Sequence, residues 1–126
     1  MSQSEANLRQ HGGAHYMLKE YQHWDWVCDI DLHYLLACAS KYASRWKQKG
    51  GLLDLDKAVH YLDKAAERDI ALAVEGLDHI VEQTQRYVAQ FPEHEAEAIM
   101  SMVLGEYSSA KAHIELLIAE EKAKVA

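Results

Sequence analysis

The chain holds 126 residues, of which 49% are hydrophobic and 26% charged, with a formal net charge of −7. That is enough chain for one compact domain with a core of its own, in the balance of a folded protein rather than a disordered one. The acidity excludes general nucleic-acid affinity, which needs many cations against phosphates, and no apolar run reaches the roughly 18 to 20 residues that span a bilayer.

Residues 1–13 are polar and uncapped and are expected to form a flexible N-terminal arm, with 14–126 a single all-helical domain. The arm lacks the basic start and apolar centre of a secretory signal, so a cytoplasmic location is expected. One proline, Pro92, and no long apolar/polar alternation predict an all-α fold, a small helical bundle built on an antiparallel helix hairpin. Trp24 and Trp26 are expected to anchor the arm in the core, and Asp25, Asp29 and Asp31 to open a helix. Cys28 and Cys38 form no CxxC pair and are expected to be buried free thiols.

From Leu32 a stripe of Leu35, Leu36, Ala39, Ala43 and Trp46 predicts a helix ending near Lys49. Gly50 and Gly51 then permit the positive φ of a helix terminus, and Asp54 is expected to cap the next helix through its carboxylate. That helix turns Leu55, Ala58, Val59, Leu62, Ala65 and Ala66 inward, and the short connection predicts an antiparallel hairpin over 32–68. Asp69 is expected to cap a third helix over 70–91, a helix continuous with the hairpin being the alternative. Phe91-Pro92-Glu93 is a boundary, because proline disfavours helix before it and suits the first turn after it. A last helix over 93–122 is expected, with Ile99, Met100, Val103, Tyr107, Ala110, Ile114, Leu117 and Ile118 as a stripe suited to a bundle or a dimer seam.

The stretch KYASRWKQKGGL places four cations within nine residues of an acidic chain. On a wheel of about 100° per residue, Tyr34, Cys38, Lys41, Arg45 and Lys49 fall on one flank of the first hairpin helix. Asp54, Lys57, Tyr61, Lys64 and Arg68 share a flank of the second, with Asp56, His60, Asp63 and Glu67 opposite. Residues 41–68 carry seven cations against four acids, a local balance of +3 that leaves −10 for the remainder. Such a patch can hold one compact anion through charge-assisted hydrogen bonds, with Arg45 as a bidentate partner and Lys41 and Lys49 as point charges. The plainer reading is a solvated face.

His15-Tyr16, Trp24-Asp25, Lys41-Tyr42, Arg45, Lys49-Gly50-Gly51, Asp54-Leu55, Lys57-Ala58 and Tyr61-Leu62 stand in an order and spacing that resemble a family of small bacteriophage proteins of unknown function, sometimes labelled nucleotide-kinase-like. The likeness covers roughly residues 15 to 66. Members usually carry Gly-Asn where this chain has Ala37-Cys38, which removes a polar amide from the flank. The resemblance implies a phage protein working in the host cytoplasm and strengthens a site at His15, Tyr16, Lys41, Arg45, Lys49, Lys57 and Tyr61, with His15-Tyr16 closing it.

Kinase chemistry would ordinarily need GxxxxGK followed by Ser or Thr, which is absent. Asp25, Asp29, Asp31 with His33, or Asp56, His60 and Asp63, are carboxylate sets that a metal-dependent nucleotide-processing enzyme would require. His94 lacks the second histidine of a zinc-protease helix and takes no role. The expected function is binding of a phosphorylated small molecule, a nucleotide or cyclic oligonucleotide, for sequestration or regulation, with no cofactor, no metal and no membrane partner. The alternative is a helical interaction module, a homo-oligomer or a cover for a host enzyme. The small residues Ala37, Ser40 and Ser44 would then allow close helix approach.

Overall fold

The structure is a computed structural model and describes residues 21–70 and 75–124. Six helices run through these residues: α1 (His23–Ile30), α2 (Tyr34–Arg45), α3 (Leu52–Glu67), α4 (Leu77–Val88), α5 (Glu93–Val103) and α6 (Tyr107–Lys124). No strand occurs among the described residues, and the fold is an all-α bundle. Two hairpins, α2/α3 and α5/α6, pack so that α3 meets α6 and α2 meets α5; α4 adds to α5, and α1 to α4.

The seam of the bundle is built from small and branched side chains alternating along each helix. Ala39 and Ala43 of α2, Ala58 and Ala65 of α3, Ala98 of α5 and Ala110 of α6 are wholly buried and let the helices approach closely, while Leu36, Leu55, Leu62, Ile99, Met102 and Ile114 fill the space between them. Burying one such large side chain is worth about 1.5–3 kcal/mol. The exposed pairs Lys64–Glu67 and Lys124–Glu121 are each worth under about 1 kcal/mol. Apolar packing therefore decides the stability of the bundle.

A second, aromatic cluster attaches α1 and α4 to α2. Trp26 lies flat on Tyr87 with ring centroids 4.6 Å apart, and its indole N–H donates to Thr84 Oγ1 at 3.0 Å. Ser44 donates its proton to the Ser40 carbonyl, so the Tyr87 hydroxyl is the donor in the 2.8 Å bond between them. Ser40 likewise donates to the Ala37 carbonyl, which makes His23 Nε2–H the donor to Ser40 Oγ at 2.9 Å. Ser40 and Ser44 on the small face of α2 are thus engaged by side chains of α1 and α4 within the chain.

Several local expectations are corrected. The single helix expected over 93–122 is two, because Gly105 adopts φ 74° and the Gly105 and Glu106 N–H groups close back on the Met102 and Ser101 carbonyls. Asp69 does not cap the next helix. At φ 51° it ends α3, its N–H on Ala66 O and that of Ile70 on Ala65 O, while Gly76 stands at the start of α4. Helix α2 stops at Arg45 rather than near Lys49. Asp29 and Asp31 close α1 instead of opening it, and His33 caps α2 by accepting the Leu35 N–H. Trp26 is buried, but Trp24 is 46% exposed, and Cys28 is an exposed thiol. The expected arm lies outside the described residues.

An L side chain at a left-handed position costs roughly 1–2 kcal/mol. Gly105→Ala should lower the stability of the folded chain by about that amount in urea titrations, and Asp69→Gly should raise the thermal midpoint.

Candidate functional site

The site begins at the turn between α2 and α3, where the two glycines do different work. Gly51 takes φ 58°, ψ −133°, a conformation suited to glycine, and its N–H reaches back to Trp46 O at 2.8 Å. Gly50 has an ordinary φ but no room: a methyl group there would overlap the Asp54 carboxylate, whose Oδ2 lies 2.8 Å from the added carbon. Asp54 is not the cap of α3, which begins after Gly51 without a side-chain cap. It stands in the first turn and reaches back instead, accepting the Gly50 N–H at 2.9 Å.

Only 1% of Asp54 is exposed. A carboxylate so placed is held ionised at tolerable cost only when paired and hydrogen-bonded. Arg45 supplies the pair, with Nε donating to Oδ2 at 3.2 Å and Nη2 to Oδ1 at 3.4 Å. The Arg45 side chain is 31% exposed. It is therefore a clamp whose charge is largely spent on Asp54, and not the free bidentate hook that the spacing predicts.

One helical turn back from the clamp sits Tyr42. The Arg45 guanidinium lies 4.8 Å from the centre of its ring, Lys57 Nζ 5.2 Å and Lys41 Nζ 5.7 Å. The ring stacks on Tyr61 of α3 with centroids 5.9 Å apart and planes 17° from parallel. Each cation gains roughly 0.5–1 kcal/mol from the ring face. Neither Lys41 nor Lys57 has a carboxylate partner among the described residues. The tyrosine run continues along α2 to Tyr34, which is 68% exposed. Hydrogen bonding to Cys38, then repulsion from that side chain, then Tyr61, push the Tyr34 phenol up to about 12.

Among the residues expected to form a site, Lys41, Arg45, Lys57 and Tyr61 are brought together around one ring. Lys49 is exposed on the turn before the glycines. Lys47 points to another neighbour, Glu95, at 3.5 Å. Lys64 is engaged with Glu67. His15 and Tyr16 lie outside the described residues. Asp56, His60 and Asp63 are exposed, and Asp63 is taken by Lys111 at 2.9 Å. Among the described residues no group of three or more His, Cys, Asp or Glu is placed to hold a metal ion.

Tyr42, the centre of the arrangement, is absent from the expected site. On the wheel it falls about 20° beyond the flank that holds Arg45, yet it is four residues from Cys38 and three from Arg45, the spacings at which side chains on a helix meet. No protein-family model, no curated protein and no solved structure matches this chain.

The raised Tyr34 pKa has a pH signature. A phenol that titrates near 12 when folded and near 10 when unfolded stabilises the fold fully below about pH 10. That contribution is lost as pH rises from about 10 through 12. Ultraviolet titration of tyrosinate should show one slow-to-ionise exposed tyrosine near pH 12, and Cys38→Ala should return it toward 10.

Proposed function

We infer that the α2/α3 face binds a phosphorylated small molecule of nucleotide type, free or cyclic, and that the chain is a phage accessory protein that sequesters or regulates such a ligand in the host cytoplasm. The observation that carries this reading is the placement of Lys41 and Lys57, from two helices and without carboxylate partners among the described residues, at a single tyrosine ring. With the Arg45 charge answered by Asp54, the two ammonium groups leave a local excess of positive charge at the ring, which a compact anion neutralises while accepting charge-assisted hydrogen bonds. Stacked tyrosines beside the cations suit a planar base, since a ring face accepts any base without reading its edge. The glycine turn ends a helix, with none of the phosphate-loop pattern of a kinase. Binding, rather than turnover, is the function this supports.

A second reading, a helical interaction surface for another copy or for a host protein, is favoured by Tyr34 and by Leu53, 60% exposed, on the same hairpin. Tyrosine and arginine are enriched at the centres of protein interfaces.

Calorimetric titration with mononucleotides and cyclic dinucleotides separates the two. Lys41→Ala and Lys57→Ala should each weaken nucleotide binding by roughly tenfold or more, the worth of one charge-assisted hydrogen bond, and Lys47→Ala should leave it unchanged. No heat from any nucleotide, with a protein partner bound through Tyr34 and Leu53, would establish the second reading instead.

A further inference from the structure

The break at Gly105 has a chemical result elsewhere in the chain. In one unbroken helix His94 and His113 would lie about 28 Å apart, at 1.5 Å per residue. Folded back as α5 and α6, they meet with their Nδ1 atoms 3.2 Å apart and ring centroids 5.5 Å apart. We propose that His94 and His113 form a binding site for a borderline transition-metal ion, Zn²⁺, Cu²⁺ or Ni²⁺, that ties α5 to α6. This site is separate from the tyrosine and lysine face and does not rest on the function inferred for it.

Three observations support it. The first is distance. Two imidazole nitrogens each about 2.0–2.1 Å from a tetrahedral ion stand about 3.3 Å from each other, close to the 3.2 Å separation found here, so turning each ring by about 35° from the N···N line brings both lone pairs onto one ion without moving the helices. The second is tautomer. The Glu120 carboxylate stands 4.0 Å from His94 Nε2, beyond hydrogen-bond length but near enough that its charge favours a proton on that nitrogen, which makes Nδ1 the atom that carries the lone pair. His113 then donates its Nδ1 proton in the present contact. On binding, that proton leaves Nδ1, and His113 is reprotonated at Nε2, so both rings offer neutral nitrogen to the ion. The third is access, since the His94 side chain is 34% exposed and His113 is half-buried.

Because no group of three or more candidate ligands surrounds the pair among the described residues, two imidazoles are the protein's share and water completes the shell. Imidazole favours Zn²⁺, Cu²⁺ and Ni²⁺ over Mg²⁺ or Ca²⁺, which take oxygen ligands.

The test is a titration of the full chain with ZnCl2, NiCl2 and CuCl2 followed by calorimetry and thermal unfolding, with MgCl2 as control. The ion should bind and raise the thermal midpoint by mass action. The rise should vanish in His94→Ala and in His113→Ala, and survive in His60→Ala. Cu²⁺ should broaden the ring resonances of His94 and His113 before those of His60 and His79. A midpoint insensitive to all three metals would mean that the two rings share only a hydrogen bond, and would overturn the proposal. A metal effect that persists in the His94→Ala, His113→Ala double variant would overturn it equally, because either single change already removes a ligand and the metal-dependent shift, unlike basal stability, does not depend on the lost packing.

Discussion

A buried carboxylate governs the hairpin. Asp54 sits in the first turn of α3 with 1% of its surface exposed, and it must find partners for its charge without leaving the helix. It finds them backward across the turn, in the Gly50 N–H and the Arg45 guanidinium. Those bonds fix where α2 ends relative to where α3 begins. They also fix the sequence of the turn, because the space Asp54 fills is the space a side chain at residue 50 would need. Gly51 contributes differently, by backbone angle alone.

From that clamp the cation and tyrosine face follows. With Arg45 held toward Asp54, its guanidinium lies over Tyr42. The antiparallel register then sets Lys57 against the same ring from the other helix and stacks Tyr61 on it. The hairpin is held firm below by the apolar seam shared with α5 and α6, and α1 and α4 brace α2 through Trp26, Tyr87 and the serines. A face positioned from both sides in this way would lose little side-chain entropy on binding the proposed ligand, which is the advantage of a prearranged site.

The fold was legible where a periodic pattern met an unambiguous punctuation mark. The α2/α3 hairpin, the boundary at Pro92 and most of the inward face of α3 could be read from apolar spacing, although Ala66 is exposed and α5 buries Ala98 and Met102 beside the expected Ile99 and Val103. The errors lie where local chemistry competes with periodicity. Gly105 interrupts a stripe that otherwise runs through Val103, Tyr107 and Ala110, and a pattern of spacings does not register a reversal that leaves the apolar residues still facing one core. Asp31 and Asp69 take left-handed angles usual for glycine, so acids that resemble helix starts in the sequence are helix ends. At the site, charge pointed to Lys41, Arg45 and Lys57, but the sequence held no sign that Arg45 would be occupied by Asp54 or that Tyr42 would be the common centre. His94 and His113 carried no joint signal, because their meeting depends on the reversal at Gly105.

The clamp is tested most directly by a double-mutant cycle between residues 50 and 54 in urea unfolding, with Gly51→Ala as the reference. Gly50→Ala should lower stability by about 1–3 kcal/mol in the native background, as overpacking does, and by far less once Asp54→Ala has emptied the space, while Gly51→Ala should cost the same in both. An equal loss from Gly50→Ala in the two backgrounds would show that the Asp54 carboxylate does not occupy the turn, and would contradict the account.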